Sequence, residues 1–201
     1  TYFSGEAVDS EMQVPAWTAR GGAVTGKVSF LREVLAEHGY EKPLMLTEAG
    51  LLCHGCETPP GEPFLAAQAA YLPRLYVRNT ALELTATLWF TLDGPGWRNS
   101  GLLEADGQPR PAFRALEALS RFLPGQCTLA ATHSDTEPAR YVFQCPDEEI
   151  WVLWSSDGSS QQFPAPAGLQ EAYDLFGSPI PTDGRNITVG FEPIYLRVSE
   201  P

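Results

Sequence analysis

The stretch Lys42-Pro43-Leu44-Met45-Leu46-Thr47-Glu48-Ala49-Gly50 decides how the rest of the chain is read. A short, mostly apolar run closed by a carboxylate and a glycine has the pattern of a strand buried in a parallel sheet. A carboxylate at the end of such a strand is costly to bury unless it is paired, hydrogen-bonded or open to a cleft. Glu48 is therefore either a catalytic group or a salt-bridged glutamate at the rim of a sheet, and the local pattern leaves both open.

Upstream of this strand, Val28, Leu31, Val34, Leu35 and His38 recur at helical spacing from Gly26-Lys27 onward, and Gly39 supplies a C-terminal stop. Downstream, residues 51–63 form a loop rich in Cys, Pro and Gly. Residues 64–83 predict a helix with Leu65, Leu72, Leu75, Tyr76 and Leu82 turned inward, kinked or delayed in its start by Pro73. Thr85–Leu92 is a second buried strand, ending in the turn cluster Asp93-Gly94-Pro95-Gly96. Pro111 opens a third helix with Phe113, Leu116, Leu119 and Phe122 inward, and Pro124-Gly125 closes it. This helix–strand alternation implies parallel strands joined by crossover helices. Glu48 and Trp89 both fall at or near the C-terminal ends of their strands, where such folds assemble their chemistry.

From residue 126 the pattern changes. Arg140–Cys145, Ile150–Trp154 and Pro193–Val198 are β-rich runs, with weaker ones at Ala172–Phe176 and Asn186–Val189, separated by Gly, Pro, Asp and Ser. The expectation is an α/β unit over residues 1–125 followed by an all-β unit over 126–201, a small antiparallel β-sandwich. Alternation along Ile150–Trp154 puts Trp151 and Trp154 on opposite faces of their strand.

Composition narrows the function. The 201 residues are 43% hydrophobic, with Gly and Pro at 18 each, which signals many turns on a real core rather than disorder. A net charge of -12 argues against nucleic acid and anionic membrane surfaces as partners. No apolar run approaches the ~20 residues of a membrane span. Phosphate-loop, dinucleotide, zinc-protease and nucleophile-elbow motifs do not occur. Cys53-His54-Gly55-Cys56 has the look of half a zinc site, but Cys127 and Cys145 lack the spacing to complete it, so no metal is expected. A loop disulfide or plain thiols fit Cys53 and Cys56 better, and Cys127 with Cys145 is a candidate structural pair. Trp89 is either the apolar floor of a sugar subsite or a core residue; Trp97 and Arg98 in the loop beyond, and Tyr2 and Trp17 near the start, are either substrate contacts or packing.

Taken in order, these segments resemble the large clan of (β/α)8-barrel retaining glycoside hydrolases. Lys42–Gly50 resembles strand 7, Gln68–Tyr76 the helix after it, Leu88–Asp93 strand 8, and Ser100–Phe113 the return into the last barrel helix. Ile150–Ser155, Tyr173–Gly177 and Pro193–Tyr195 are similar to the β-domain that often follows such barrels. The resemblance implies a partial barrel plus sandwich, Glu48 as nucleophile, Trp89 lining the subsite of the sugar being cleaved, Tyr2 as the strand-6 tyrosine that contacts the nucleophile, an oligo- or polysaccharide substrate, no cofactor, and secretion as in polysaccharide-degrading relatives. It also implies that the N-terminal barrel portion, with the acid/base glutamate, lies outside this sequence: a barrel takes ~250 residues, and no Asn-Glu pair occurs here. The competing expectation is a non-catalytic carbohydrate-binding or protein-interaction module on a glycosidase-like scaffold.

Overall fold

The computed structural model describes residues 1–5, 9–57, 59–182 and 184–199. After a short helical turn α1 (Pro15–Thr18), helix α2 (Ala23–Glu37) leads to strand β1 (Leu46–Ala49), helix α3 (Glu62–Ala81), strand β2 (Thr87–Trp89) and helix α4 (Pro111–Phe122). Strands β3 (Thr128–His133), β4 (Ala139–Gln144), β5 (Glu149–Trp154), β6 (Gln161–Pro164), β7 (Leu169–Tyr173), β8 (Asn186–Val189) and β9 (Ile194–Val198) follow. The molecule is thus mixed α/β, its described helices all preceding strands β3–β9.

β1 and β2 pair in parallel, Leu46 opposite Thr87 and Ala49 opposite Trp89, with an irregularity between the two. The first residues extend this layer. Tyr2 bridges Leu52 in parallel, just beyond β1; the Leu52 amide donates to the Thr1 carbonyl at 2.9 Å and the Phe3 amide to the Leu52 carbonyl at 2.8 Å.

α2 starts four residues before the expected Lys27. Gly22 at its N-cap has no side chain to cap it. The first-turn amides are met from elsewhere: Val24 donates to the Glu11 carboxylate at 2.6 Å and Ala23 to the Glu11 carbonyl at 3.0 Å. A buried carboxylate there also complements the positive end of the helix dipole. α3 runs through Pro73 as one helix from Glu62, so the proline does not delay its start. Proline removes one backbone donor, but this helix buries residues on every side and is held by packing. One side meets Leu51 and the β1 residues Leu46 and Ala49 through Phe64, Tyr71 and Leu75. The other carries Ala69, Leu72 and Val77 into a core shared with α4 and the β-rich part.

That part is a five-stranded antiparallel sheet in the order β3-β4-β5-β9-β7 and a separate pair β6-β8. Alternation explains its two faces. Tyr141, Phe143, Ile150, Val152, Trp154 and Tyr195 face α3 and α4, while Leu153, Leu196 and Val198 pack with Ile187 and Val189 of β8. Trp154 and Trp151 do fall on opposite sides: Trp154 is fully buried among the helices' partners, and Trp151 is half-buried in the second cluster. The cysteines pair as Cys53–Cys56 and Cys127–Cys145.

Two arginines one turn apart on α3 fasten the layers. Arg74 lies 3.9 Å over the Phe191 ring and donates to the Phe191 carbonyl. Arg78 lies 5.2 Å over Trp154 and is ion-paired with Asp9, whose carboxylate is fully buried. Burial lowers Arg74 to about 10. For Asp9 burial works against the charged form, but the Arg78 guanidinium outweighs it and holds the carboxyl below its usual range.

Candidate functional site

Glu48 is at the C-terminal end of β1, the penultimate residue of the strand. The irregular register between Leu46 and Ala49 breaks simple alternation, so Thr47 and Glu48 are both exposed while Leu46 and Ala49 turn toward α3. No described residue hydrogen-bonds to the Glu48 carboxylate or forms an ion pair with it. It faces a cleft of about 330 Å³ walled by β1, one face of α2 (Val24, Lys27, Val28, Leu31) and Tyr71. At the strand ends the cleft reaches Phe90 and Trp97. Among the residues lining it, Glu48 is the one carboxylate and Lys27 the one side-chain cation.

The aromatic residues separate into different roles. Trp89 is half-buried: its indole N–H donates to the Ser100 carbonyl at 2.9 Å, its ring lies 6.1 Å from Tyr71, and it packs on the clusters beside α3. The neighbouring Phe90 takes the cleft wall. Sequence reading missed Phe90, because the choice between adjacent positions depends on the irregular register of a three-residue strand. Trp97 is 55% exposed, a large apolar surface left at the mouth of the cleft. Arg98 lies between two rings, 4.4 Å from Trp97 and 5.4 Å from Tyr2, and donates to the Tyr2 hydroxyl at 2.6 Å. The structure therefore gathers Glu48 and Trp97 at one cleft, with Arg98 and Tyr2 beside Trp97. Trp17 is elsewhere, packed on Phe30 at 6.1 Å and against Gly26 of α2.

Behind the cleft lies a buried polar cluster with no local signal in the sequence. Tyr71 donates to the Glu11 carboxylate at 2.6 Å, and so does the Thr1 hydroxyl at 2.6 Å. Burial, then the Glu11 charge, pushes the Tyr71 hydroxyl well above its ordinary value, so it stays a donor. The partners are 60 residues apart in sequence, a separation no local pattern reveals. Among the described residues no group of three or more His, Cys, Asp or Glu could hold a metal, and no helix is long and apolar enough to cross a membrane.

No family model matches the chain, and no curated protein does. Solved structures do. A family 39 glycoside hydrolase from the gut symbiont Bacteroides cellulosilyticus WH2 superposes with a TM-score of 0.65 at 22% identity, over 86% of this chain and 38% of that one. A GH30 endoxylanase from Clostridium papyrosolvens C71 gives 0.57 at 14% identity, over 90% and 47%. A family 30 subfamily 8 xylanase from Clostridium acetobutylicum gives 0.53 at 11%, over 84% and 45%. The chain has a glycoside hydrolase-like fold, and it spans less than half the length of these structures.

Proposed function

We infer that the chain is the C-terminal part of a retaining glycoside hydrolase, residues 1–125 closing a (β/α)8 barrel and 126–201 forming the β-sandwich after it. The observation that carries the reading is Glu48: a carboxylate without a partner among the described residues, at the C-terminal end of a parallel strand and open to a cleft with aromatic walls. In such a mechanism one carboxylate attacks the anomeric carbon and expels the leaving oxygen, which a second carboxylic acid protonates, the two carboxyl groups standing ~5–5.5 Å apart. Water then hydrolyses the glycosyl-enzyme ester with the second group as base. Glu48 is the nucleophile in this reading. The acid/base comes from barrel strands outside this sequence, in keeping with the share of each neighbour that the chain covers. Phe90 and Trp97 offer apolar ring faces to the sugar, and no metal or organic cofactor enters the reaction. Two disulfides suit a secreted protein, since such bonds persist in oxidising compartments.

The test is mechanism-based trapping in the natural polypeptide that carries this chain. Activated 2-deoxy-2-fluoro glycosides of several configurations should leave a sugar ester on Glu48, located by peptide mass mapping. Glu48→Gln should abolish both the ester and turnover. Undiminished turnover by Glu48→Gln, or an ester on another residue, would overturn the assignment.

A further inference from the structure

The loop after β2 is held in an expensive conformation. Arg98 (φ 52°, ψ 41°) and Asn99 (φ 62°) are successive non-glycine residues in the left-handed region, a conformation that persists only where the surroundings over-determine it. They do so here. The Asn99 carbonyl accepts from Gln68 at 3.0 Å and from Arg110 at 3.0 Å, both donors being buried. The Arg98 carbonyl accepts the Cys53 amide at 2.9 Å, inside the loop closed by the Cys53–Cys56 disulfide. The backbone is pinned from α3, from the segment before α4 and from the disulfide loop.

This bracing fixes where one guanidinium stands. Arg98 is clasped between Trp97 and Tyr2, and among the described residues the Tyr2 hydroxyl is its hydrogen-bond acceptor and no carboxylate pairs with it. In a chain with 25 Asp and Glu against 13 Lys and Arg, an arginine held rigidly without an acidic partner is notable. Arg98 stands beside Trp97 at the mouth of the Glu48 cleft, and Lys27, a second cation with no ion-pair partner among the described residues, lines that cleft. A planar fork of donors beside an exposed indole matches a sugar ring that bears a carboxylate or sulfate: the indole takes the ring face and the fork the anion.

We propose that Arg98 is a specificity-determining residue that selects glycosides carrying an anionic substituent, with Lys27 adding to the field of the cleft. The proposal rests on the cleft being a glycoside site. It places an acid-bearing saccharide against a protein whose overall charge repels it, so that the local cations decide.

The test is calorimetric titration of the natural polypeptide with glucuronate, galacturonate and mannuronate oligosaccharides. Each is paired with its own carboxyl-reduced form, and a sulfated oligosaccharide is run beside them. At least one uronate or the sulfated probe should bind about tenfold or more tighter than its neutral counterpart. Arg98→Gly should erase that preference; glycine suits the left-handed backbone, so the loss would not reflect misfolding. Arg98→Lys keeps the charge without the fork and should retain only part of it. The two anions distinguish carboxylate from sulfate as the group recognised. Equal binding of anionic and neutral partners, no binding of any anionic probe, or an undiminished preference in Arg98→Gly overturns the proposal. Glu48 trapping distinguishes the failures: an ester on Glu48 with no anionic preference leaves the glycosidase reading intact, whereas Arg98-dependent anion binding without Glu48 chemistry removes catalysis and keeps recognition.

Discussion

Replacing Asp9 with asparagine tests whether the ion pair beneath α3 fastens the two parts of the molecule. Asp9 is fully buried in its side chain, and Arg78 retains only 15% exposure. Asparagine keeps the shape and the oxygen that accepts the Glu11 amide at 3.1 Å, but sets an NH2 donor where the other oxygen accepts from Arg78, so the substitution removes the charge and that hydrogen bond together. It leaves a guanidinium over Trp154 without its counter-ion. Breaking a buried pair in this way costs ~3–5 kcal/mol, and at ~2–4 °C per kcal/mol for a chain of this size Tm should fall by about 6–20 °C at pH 7. Circular dichroism melts measure it. The pH dependence follows from the direction of the shift. Asp9 is depressed in the folded state, so its contribution is full above the unfolded carboxyl pKa of ~3.9 and disappears as pH falls through the lower folded value. Wild type should lose that stability on acidification, while Asp9→Asn has none of it to lose, and the two Tm values should converge. Glu33→Gln, which breaks the exposed Arg20–Glu33 pair, should cost under ~1 kcal/mol. A Tm loss below 2 °C in Asp9→Asn, or a gap that does not narrow in acid, would refute the reasoning.

Three other outcomes are expected. Cys127→Ser/Cys145→Ser opens a loop closed over 18 residues and should lower unfolding free energy by ~3 kcal/mol in urea titrations. Gly101→Ala would place a methyl 1.8 Å from the Gly94 carbonyl oxygen; a backbone atom cannot step aside cheaply, so Tm should drop by several degrees, whereas Gly125→Ala, with open space around it, should not change it. Trp154→Ala empties a fully buried site and should cost ~3–5 kcal/mol by the same denaturation assay.

The fold was readable where one residue's neighbours in sequence are also its neighbours in space. The apolar run before Glu48, the Pro111 helix start and the alternation through Ile150–Trp154 are local signals, and the elements appear there. β3 and β6 escaped notice. Thr128–His133 and Gln161–Pro164 present polar or half-exposed residues at the margins of their sheets, where packing asks little of the sequence. The start of α2 escaped because its capping carboxylate comes from Glu11, 13 residues before the amide it serves. At the site, Glu48 announced itself through the cost of a charge at a strand end. The bracing of Arg98 did not, because its fixing groups come from Gln68, Arg110 and Cys53, which only the folded chain assembles.

Helix α3 has consequences for how the sequence can drift. Tyr71 touches the cleft, Leu72 and Val77 face the shared core, Arg74 and Arg78 hold rings of the β-rich part, and Gln68 braces the Arg98 loop. With 12 of its 20 residues buried, few sites on it are free of some obligation. A saturation library should find α3 the least permissive helix of the chain and α2, with three buried residues in fifteen, far more tolerant. Substitutions in α3 should also seldom act on one property alone, since the turn that shapes the cleft and the turn that carries the sheet belong to one rigid rod.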